Sequence, residues 1–367
     1  MDETLPKFHV QITEDRLHDG ARELISKIRP EWPLNKLLFK IFTDGITNRL
    51  IGVYVDPRNK HHDDMILIRI YGQNTDLFID RNVECRNMRI MYKHGLSAPI
   101  YGTFLNGICY GYSPGKVLDE NLVRDPNISR LIAEKMAQMH TLKPLKTTAI
   151  NNIQQSPIQA CLFRDLRKFI AIVDSALPLK LHPTTSRRLK NYCDIENLKT
   201  ELEYLQQILT PLHSPIVFCH NDLLLKNIIF NESTNNVTFI DFEYSDYNYQ
   251  AFDIANHFCE FCGVNSFDYN LYPNQEFQFR WLKIYLRKLY SLTNGNVDDN
   301  QLDDSILERN VETLFNAVNK FTLASCLYWG IWALVQMSNS SIDFDYKSFA
   351  FQRLDEYYRR KKHLSFV

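Results

Sequence analysis

The 367-residue chain lacks an excess of either charge, since 42 Lys and Arg stand against 43 Asp and Glu. That balance, with 45% hydrophobic residues, excludes a strongly basic nucleic-acid binder and an intrinsically disordered chain. It also lacks an apolar run of the roughly 20 residues a bilayer crossing needs. The longest run, LASCLYWGIWALV at 323–335, is interrupted by Ser325 and Gly330 and reads as a buried helix. The start, MDETLPKFHV, has no basic stretch followed by an apolar one, and the closing HLSFV is neither a prenylation box nor a peroxisomal address, so the expected location is cytoplasmic. The eight cysteines (85, 109, 161, 193, 219, 259, 262 and 326) lack the spacing of a disulfide framework and read as reduced thiols. Cys259 and Cys262 form a C-x-x-C, but no second pair follows at zinc-finger spacing, so two small buried side chains are expected there. Internal repeats, low-complexity tracts and a G-x-G-x-x-G are absent too.

What is present divides into a β-rich part and a helical part, an α+β class. LLFKIFTDG (37–45), NRLIGVYVD (48–56) and MILIRIYG (65–72) are rich in β-branched and aromatic residues and separated by turn chemistry, which predicts three antiparallel strands. From Arg81, apolar residues at helical spacing in RNVECRNMRIMYKHG predict a helix ending at Gly95, and Asn106-Gly107 predicts a hairpin. YSPGK at 112–116 breaks this pattern, and helices dominate the remainder of the chain. The expected domains are therefore 1–111, an N-terminal lobe of sheet plus helix, and 112–367, a helical C-terminal lobe. Residues 177–188 read as a loop, and PIVFCH, NIIF and VTFIDFEYS read as one β island within the helical part.

That island carries the chemistry. In VFCHNDLLLKNIIFN a His, an Asp and an Asn interrupt apolar sequence, and Asp241 ends the run VTFI. A buried carboxylate costs several kcal/mol unless it is paired or binds a metal. Asp222, Asn227 and Asp241 in this order can supply one base and two oxygen ligands for magnesium. Taken alone, each also reads as a cap or turn residue.

HNDLLLKN followed by IDFEYSDYNYQAFDIANHFCEF resembles the paired signature of the choline/ethanolamine kinases, a branch of the protein-kinase-like phosphotransferases, and the form HNDLL-x-x-NII is closer to the ethanolamine kinases. The resemblance runs from about Phe42 to the C-terminus and implies a two-lobed protein-kinase-like fold. It implies an enzyme that uses ATP and Mg²⁺ to phosphorylate ethanolamine, the first step toward phosphatidylethanolamine. By it, Asp222 is the catalytic base, His220 fixes the loop, and Asn227 and Asp241 are metal ligands. Arg69 would face the ATP phosphates, paired with Glu84; otherwise these are a cross-strand charge and a solvated helix residue. Gly45, Thr47 and Asn48 would cover the phosphates, though Asp44-Gly45 alone is a hairpin turn.

An amino alcohol also needs a site for its ammonium group, from aromatic faces, a carboxylate or both. Trp329 and Trp332 share a helical face, and the resemblance adds Tyr244, Glu260, Phe344 and Phe349 to the pocket. Without it, two Trp at this spacing read as core. The basic stretch RRKKH (359–363) fits an anionic membrane or, more simply, the cationic end of a helix. The expected partners are ATP and a small amino alcohol, with no nucleic acid and no transmembrane segment; a homodimer stays open. Choline kinase is the nearest alternative, followed by a kinase of other alcohols, such as an antibiotic phosphotransferase, and by a pseudokinase.

Overall fold

Runs of β-branched and aromatic residues form strands, and longer apolar runs at helical period form helices, in the computed structural model. It describes residues 5–42, 49–56, 64–72, 80–143, 158–176, 187–263, 267–294, 303–340 and 344–364. In chain order the elements begin with β1 (Lys7–Phe8), α1 (Leu17–Ile28), β2 (Leu38–Phe42), β3 (Arg49–Tyr54), β4 (Ile66–Ile70), α2 (Arg81–Lys93), β5 (Ile100–Phe104), β6 (Gly107–Gly111) and β7 (Lys116–Val117). There follow α3 (Pro126–His140), α4 (Leu162–Ala176), α5 (Arg187–Tyr192), α6 (Ile195–Leu209), β8 (Ile216–Cys219), β9 (Ile228–Asn231), β10 (Asn236–Phe239) and β11 (Asp246–Tyr249). The last are α7 (Gln250–Glu260), α8 (Gln275–Thr293), α9 (Asp304–Asn339) and α10 (Tyr346–Leu364).

The chain divides into two units. The first comprises Met1–Val117, Ile229–Glu243 and Ser341–Phe344; the second comprises Leu118–Ile228, Tyr244–Ser340 and Asp345–Val367. The division falls at Val117 where the sequence suggested Gly111, and most of β9 with β10 groups with the first unit.

In the first unit six strands form one sheet in the order β1-β5-β6-β4-β3-β2. The sequence predicts five of them. The sixth, β1, pairs in parallel with β5 at the sheet edge. The Asn106 side chain reinforces this seam, accepting from the backbone N–H of Ile12 at 3.1 Å and donating to its carbonyl at 2.8 Å. Helix α1 packs Ala21, Leu24 and Ile25 onto Ile12, Ile51, Val53, Ile66 and Ile68, closing the core. β4 is buried along most of its length, which is why ILIRI reads as a nearly unbroken apolar run. Asp80 caps α2 by accepting from the backbone N–H groups of Asn82 and Val83.

The expected single island is two separate sheets. β9 pairs with β10 and β7, whereas β8 pairs antiparallel with β11, with Cys219 opposite Asp246 and Ile216 opposite Tyr249. The polar segment 220–227 thus connects strands of different sheets and is not a hairpin loop. Arg187 and Arg188, expected in a loop, begin α5, and residues 177–186 lie outside those described.

The second unit is built around α9. From Phe321 to Val335 every residue of this helix is buried, the pattern of a helix apolar on all sides. Among the described residues it is the one helix long and apolar enough to cross a membrane, yet 94% of its most apolar window is buried inside the protein. Gly330 lets α10 approach, because a Cβ there would sit 2.7 Å from Leu354. In α10 the terminal cations find protein partners: Arg359 and Arg360 bind Glu356, and Lys361 binds Glu201. That is the helix-end reading of RRKKH.

Candidate active site

Three chain segments of the first unit meet in a buried charge cluster. Arg69, opposite Leu50 and Ile108 in the sheet, is 6% exposed. It forms an ion pair with Glu84 of α2 and donates from Nη1 to Asp241 Oδ1 at 3.0 Å. Burial alone would favour loss of its proton, but Tyr110, Asp241 and Glu243 outweigh that and hold the guanidinium above its ordinary value. Arg81 donates to Glu84 at 3.0 Å and to Glu243 at 3.3 Å, with its guanidinium 4.0 Å from the Tyr71 ring centroid. Burial and the Asp241 charge push the Glu243 carboxyl up to about 7, against the pull of Arg69 and Arg81.

Carboxylate oxygens of Glu84, Asp241 and Glu243 lie within 4.8 Å of one another. They are hard oxygen donors of the kind magnesium takes. Asp241 is the most open, its side chain 31% exposed against 0% for Glu84 and 4% for Glu243. It follows β10 with φ of 65°, a left-handed conformation uncommon for a residue with a Cβ.

In the second unit the segment 220–227 is held from below by α7, every residue of which is buried. Asp253, Asn256 and His257 stand at i, i+3 and i+4, on one face. Asp253 accepts from the backbone N–H of His220 at 2.9 Å and of Asn221 at 2.7 Å. It also pairs with His140 Nε2 at 3.0 Å, and His140 Nδ1 meets the Tyr285 hydroxyl at 2.6 Å. Burial would push the Asp253 carboxyl up, but these hydrogen bonds and the His140 and His220 charges more than offset it, so it stays ionised below the usual carboxylate range. Asn256 donates to the Asn221 carbonyl at 3.1 Å. His257 Nδ1 bonds the Leu223 carbonyl at 3.1 Å, and burial depresses its pKa to about 4, so the ring is neutral and Nδ1 carries the proton.

These three side chains hold the main chain just before and after Asp222. Asn221 has φ of 65°, and its side chain donates to the Tyr244 carbonyl at 2.9 Å while accepting from Asn248 at 2.8 Å. Asp222 itself is half-buried. Asn227 spends its amide nitrogen on the Asp222 carbonyl at 2.9 Å, a bond that does not use its amide oxygen.

An aromatic cluster adjoins the segment. Tyr244 lies edge-on to Trp329 at 5.5 Å, Trp329 to Trp332 at 5.3 Å, and Trp332 to Tyr346 at 5.9 Å and to Phe349 at 6.2 Å. The polar edges of both indoles are fixed, Trp332 Nε1 donating to the Tyr244 hydroxyl at 2.9 Å and Trp329 Nε1 to Asn256 at 2.7 Å. Glu260 reaches this cluster indirectly: its carboxylate accepts from Arg353 Nη2 at 2.7 Å, and the Arg353 guanidinium lies over Phe267 at 4.0 Å and Phe349 at 5.2 Å. The charge of Glu260 is therefore already compensated.

Of the residues singled out in the sequence, Arg69, Glu84 and Asp241 form one cluster in the first unit. His220, Asp222 and Asn227 share one segment in the second, and Tyr244, Trp329, Trp332 and Phe349 share one aromatic cluster there. Phe344 is half-buried and groups with the first unit. Gly45, Thr47 and Asn48 lie outside the described residues. Sequence reasoning missed Glu243, Asp253, Asn256, His257 and Arg353. The signal for three of them was DIANH, polar residues on one face of an otherwise apolar helix.

A sequence model of the choline/ethanolamine kinase family matches residues 39–358. Human ethanolamine kinase 1 is 39% identical over 360 residues, covering 97% of this chain and 75% of the human protein. Among solved structures, an ethanolamine kinase of Plasmodium vivax superposes with a TM-score of 0.77 at 27% identity, covering 94% of this chain and 89% of that one. A choline kinase of Cryptosporidium parvum superposes with a TM-score of 0.73 at 24% identity, covering 94% and 96% of the two chains, and shares the fold.

Proposed function

Because the chain belongs to the choline/ethanolamine kinase family, we propose that it is an ethanolamine kinase, moving the γ-phosphoryl group of ATP to the hydroxyl of ethanolamine. The products are phosphoethanolamine and ADP, and the former feeds phosphatidylethanolamine synthesis. The observation that carries an amino-alcohol substrate is the joining of segment 220–227 to the aromatic cluster within one unit. Asn221, next to Asp222, bonds Tyr244, which packs on Trp329.

In this reading the Asp222 carboxylate accepts the hydroxyl proton as the substrate oxygen bonds to the γ-phosphorus and the bond from that phosphorus to the bridging oxygen breaks. His220, Asp253, Asn256 and His257 hold the Asp222 backbone so that the carboxylate loses no time to reorientation. Within the first unit Asp241, with Glu84 and Glu243 beside it, would offer carboxylate oxygens to Mg²⁺; within the second the amide oxygen of Asn227 is a donor of the same kind, and the ion, when bound, neutralises phosphate charge. Arg69, paired with Glu84 and kept charged by Tyr110, Asp241 and Glu243, would face the phosphates. Trp329, Trp332, Tyr244 and Phe349 offer ring faces to the ammonium group.

One observation favours choline as a second substrate. With Glu260 tied to Arg353, the pocket depends on ring faces, which serve a quaternary ammonium as well as a primary one. The test is phosphorylation by the purified full chain with saturating Mg-ATP, measuring kcat/KM for each alcohol. A higher kcat/KM for ethanolamine is expected; preference for choline reverses the assignment, and no turnover of either refutes it.

A further inference from the structure

We infer that Asn256 is a positioning residue that sets the separation between the proton-accepting carboxylate and the ammonium pocket, and thereby selects amino alcohols by the length of their carbon spacer. The inference rests on the reading of the site as an amino-alcohol kinase.

Asn256 is fully buried and its amide is used at both ends. Nδ2 donates to the Asn221 carbonyl at 3.1 Å, one residue before Asp222. Oδ1 accepts from Trp329 Nε1 at 2.7 Å and from Ser325 Oγ at 2.8 Å, residues that stand four apart on one face of α9. The circuit closes through a different route: Asn221 Nδ2 donates to the Tyr244 carbonyl at 2.9 Å, and the Tyr244 ring packs edge-on against Trp329 at 5.5 Å. Asn221, Tyr244, Trp329 and Asn256 thus form a ring of contacts. Within it Asn256 spans from the main chain beside the base to the indole edge of the pocket.

A substrate anchored at both ends reacts only when its own length matches that span. In ethanolamine two carbons separate nitrogen and oxygen; in 3-amino-1-propanol there are three. A frame held by buried hydrogen bonds at both ends resists adjusting to the longer molecule, because any slip leaves the Trp329 N–H or the Asn221 carbonyl without a partner. Asn is suited to the position, since its short planar amide sets an NH₂ donor beside a carbonyl acceptor that can take two hydrogen bonds, as Oδ1 does here. Asp would keep the bond to Trp329 but turn an oxygen toward the Asn221 carbonyl, and Ala would abandon both.

The experiment compares kcat/KM for ethanolamine and for 3-amino-1-propanol in the full-length wild type, Asn256→Ala, Asn256→Asp and Trp329→Phe, with the KM for ATP and thermal unfolding measured alongside. Trp329→Phe removes the same hydrogen bond from the opposite side while keeping a ring. The expected result is a fall of at least about tenfold in the preference for ethanolamine in each folded variant, mostly through kcat on ethanolamine, with the KM for ATP within about twofold of wild type. If Asn256→Ala does not fold, the isosteric Asn256→Asp and Trp329→Phe carry the same comparison. Parallel losses on both alcohols, with the preference unchanged, would overturn the inference and reduce Asn256 to a structural residue. A wild type inactive on both alcohols would sink the kinase reading instead, so the two failures are distinguishable.

Discussion

Asp253 never needs to touch a substrate, yet replacing it by Asn is expected to be among the most damaging isosteric changes in the protein. Its two oxygens accept three hydrogen bonds, from the backbone N–H groups of His220 and Asn221 and from His140. An amide offers one oxygen, best spent on His220 and His140. Its nitrogen then faces the Asn221 N–H, 2.7 Å away in the native structure, donor against donor. Hydrogen bonds to a buried charge are worth about 1.5–3 kcal/mol, and a stranded buried donor costs about 1–3 kcal/mol. A loss of about 3 kcal/mol of stability is expected from these values, together with a shift of the main chain that carries Asp222. Misplacement on the order of 1 Å lowers a rate by about a hundredfold. Steady-state kinetics at saturating Mg-ATP should show kcat on ethanolamine down by about that factor and the KM for ATP little changed, with urea unfolding giving the stability difference. The pH dependence adds a check: the native Asp253 carboxyl titrates below its unfolded value, so its contribution is complete above the ordinary carboxylate range and fades as pH falls through it. The gap between wild type and Asp253→Asn should therefore narrow in acid. A variant with kcat within about threefold of wild type would refute the claim that α7 holds the reactive segment through this carboxylate.

Asp222→Ala should lower kcat by about a thousandfold or more while ATP binding, followed by nucleotide fluorescence, is nearly kept; comparable activity removes Asp222 from the mechanism. Trp329→Ala should raise the KM for ethanolamine about tenfold at unchanged KM for ATP, whereas an indifferent variant would argue against an aromatic ammonium site. Arg353→Met strands the Glu260 carboxylate and should cost about 3–5 kcal/mol in urea unfolding, with Arg353→Met plus Glu260→Met recovering most of it; equal instability of the double variant would show that the pair itself stabilises. His257 is depressed to about 4 from an unfolded value of 6.5, so the unfolded chain takes up a proton first and stability should fall as pH drops from 6.5 toward 4. His257→Gln should flatten that slope, and an unchanged slope would place the titrating group elsewhere.

The strands β2 to β6 and helix α2 were legible because periodicity and turn residues agree there. Helix α1 was not, since Gly20 stands in its interior, a weak helix former by itself. The packing explains it: a Cβ at that position would meet Ile12 at 3.0 Å. The pairing of β8 with β11 was hidden for a different reason. Nearness in sequence made β9 the obvious neighbour, while DYNY alternates polar and aromatic residues without an apolar face. Within the site, Arg69 and Asp241 could be picked out as charges beside apolar runs, whereas Glu84, in the polar stretch RNVECRNM, was legible only through the family resemblance. Asp253, Asn256 and His257 bind main-chain groups some thirty residues upstream, and no local pattern names a backbone partner at that distance. Arg353 escaped notice because a cation in a helix of mixed composition looks solvated until its aromatic neighbours are known.

The parallel strand β1 has a practical side. Beyond its own pairing, the N–H of Thr103 bonds the Pro6 carbonyl and that of Leu105 bonds the Val10 carbonyl, so the stretch from Pro6 to Ile12 covers the outer border of the sheet. A truncated version starting after Ile12 would bare β5 as an unguarded margin, beside a Leu105 that is already 64% exposed. Such a margin invites strands from neighbouring molecules, so shortened proteins should precipitate or self-associate even though every residue of the catalytic segment is intact.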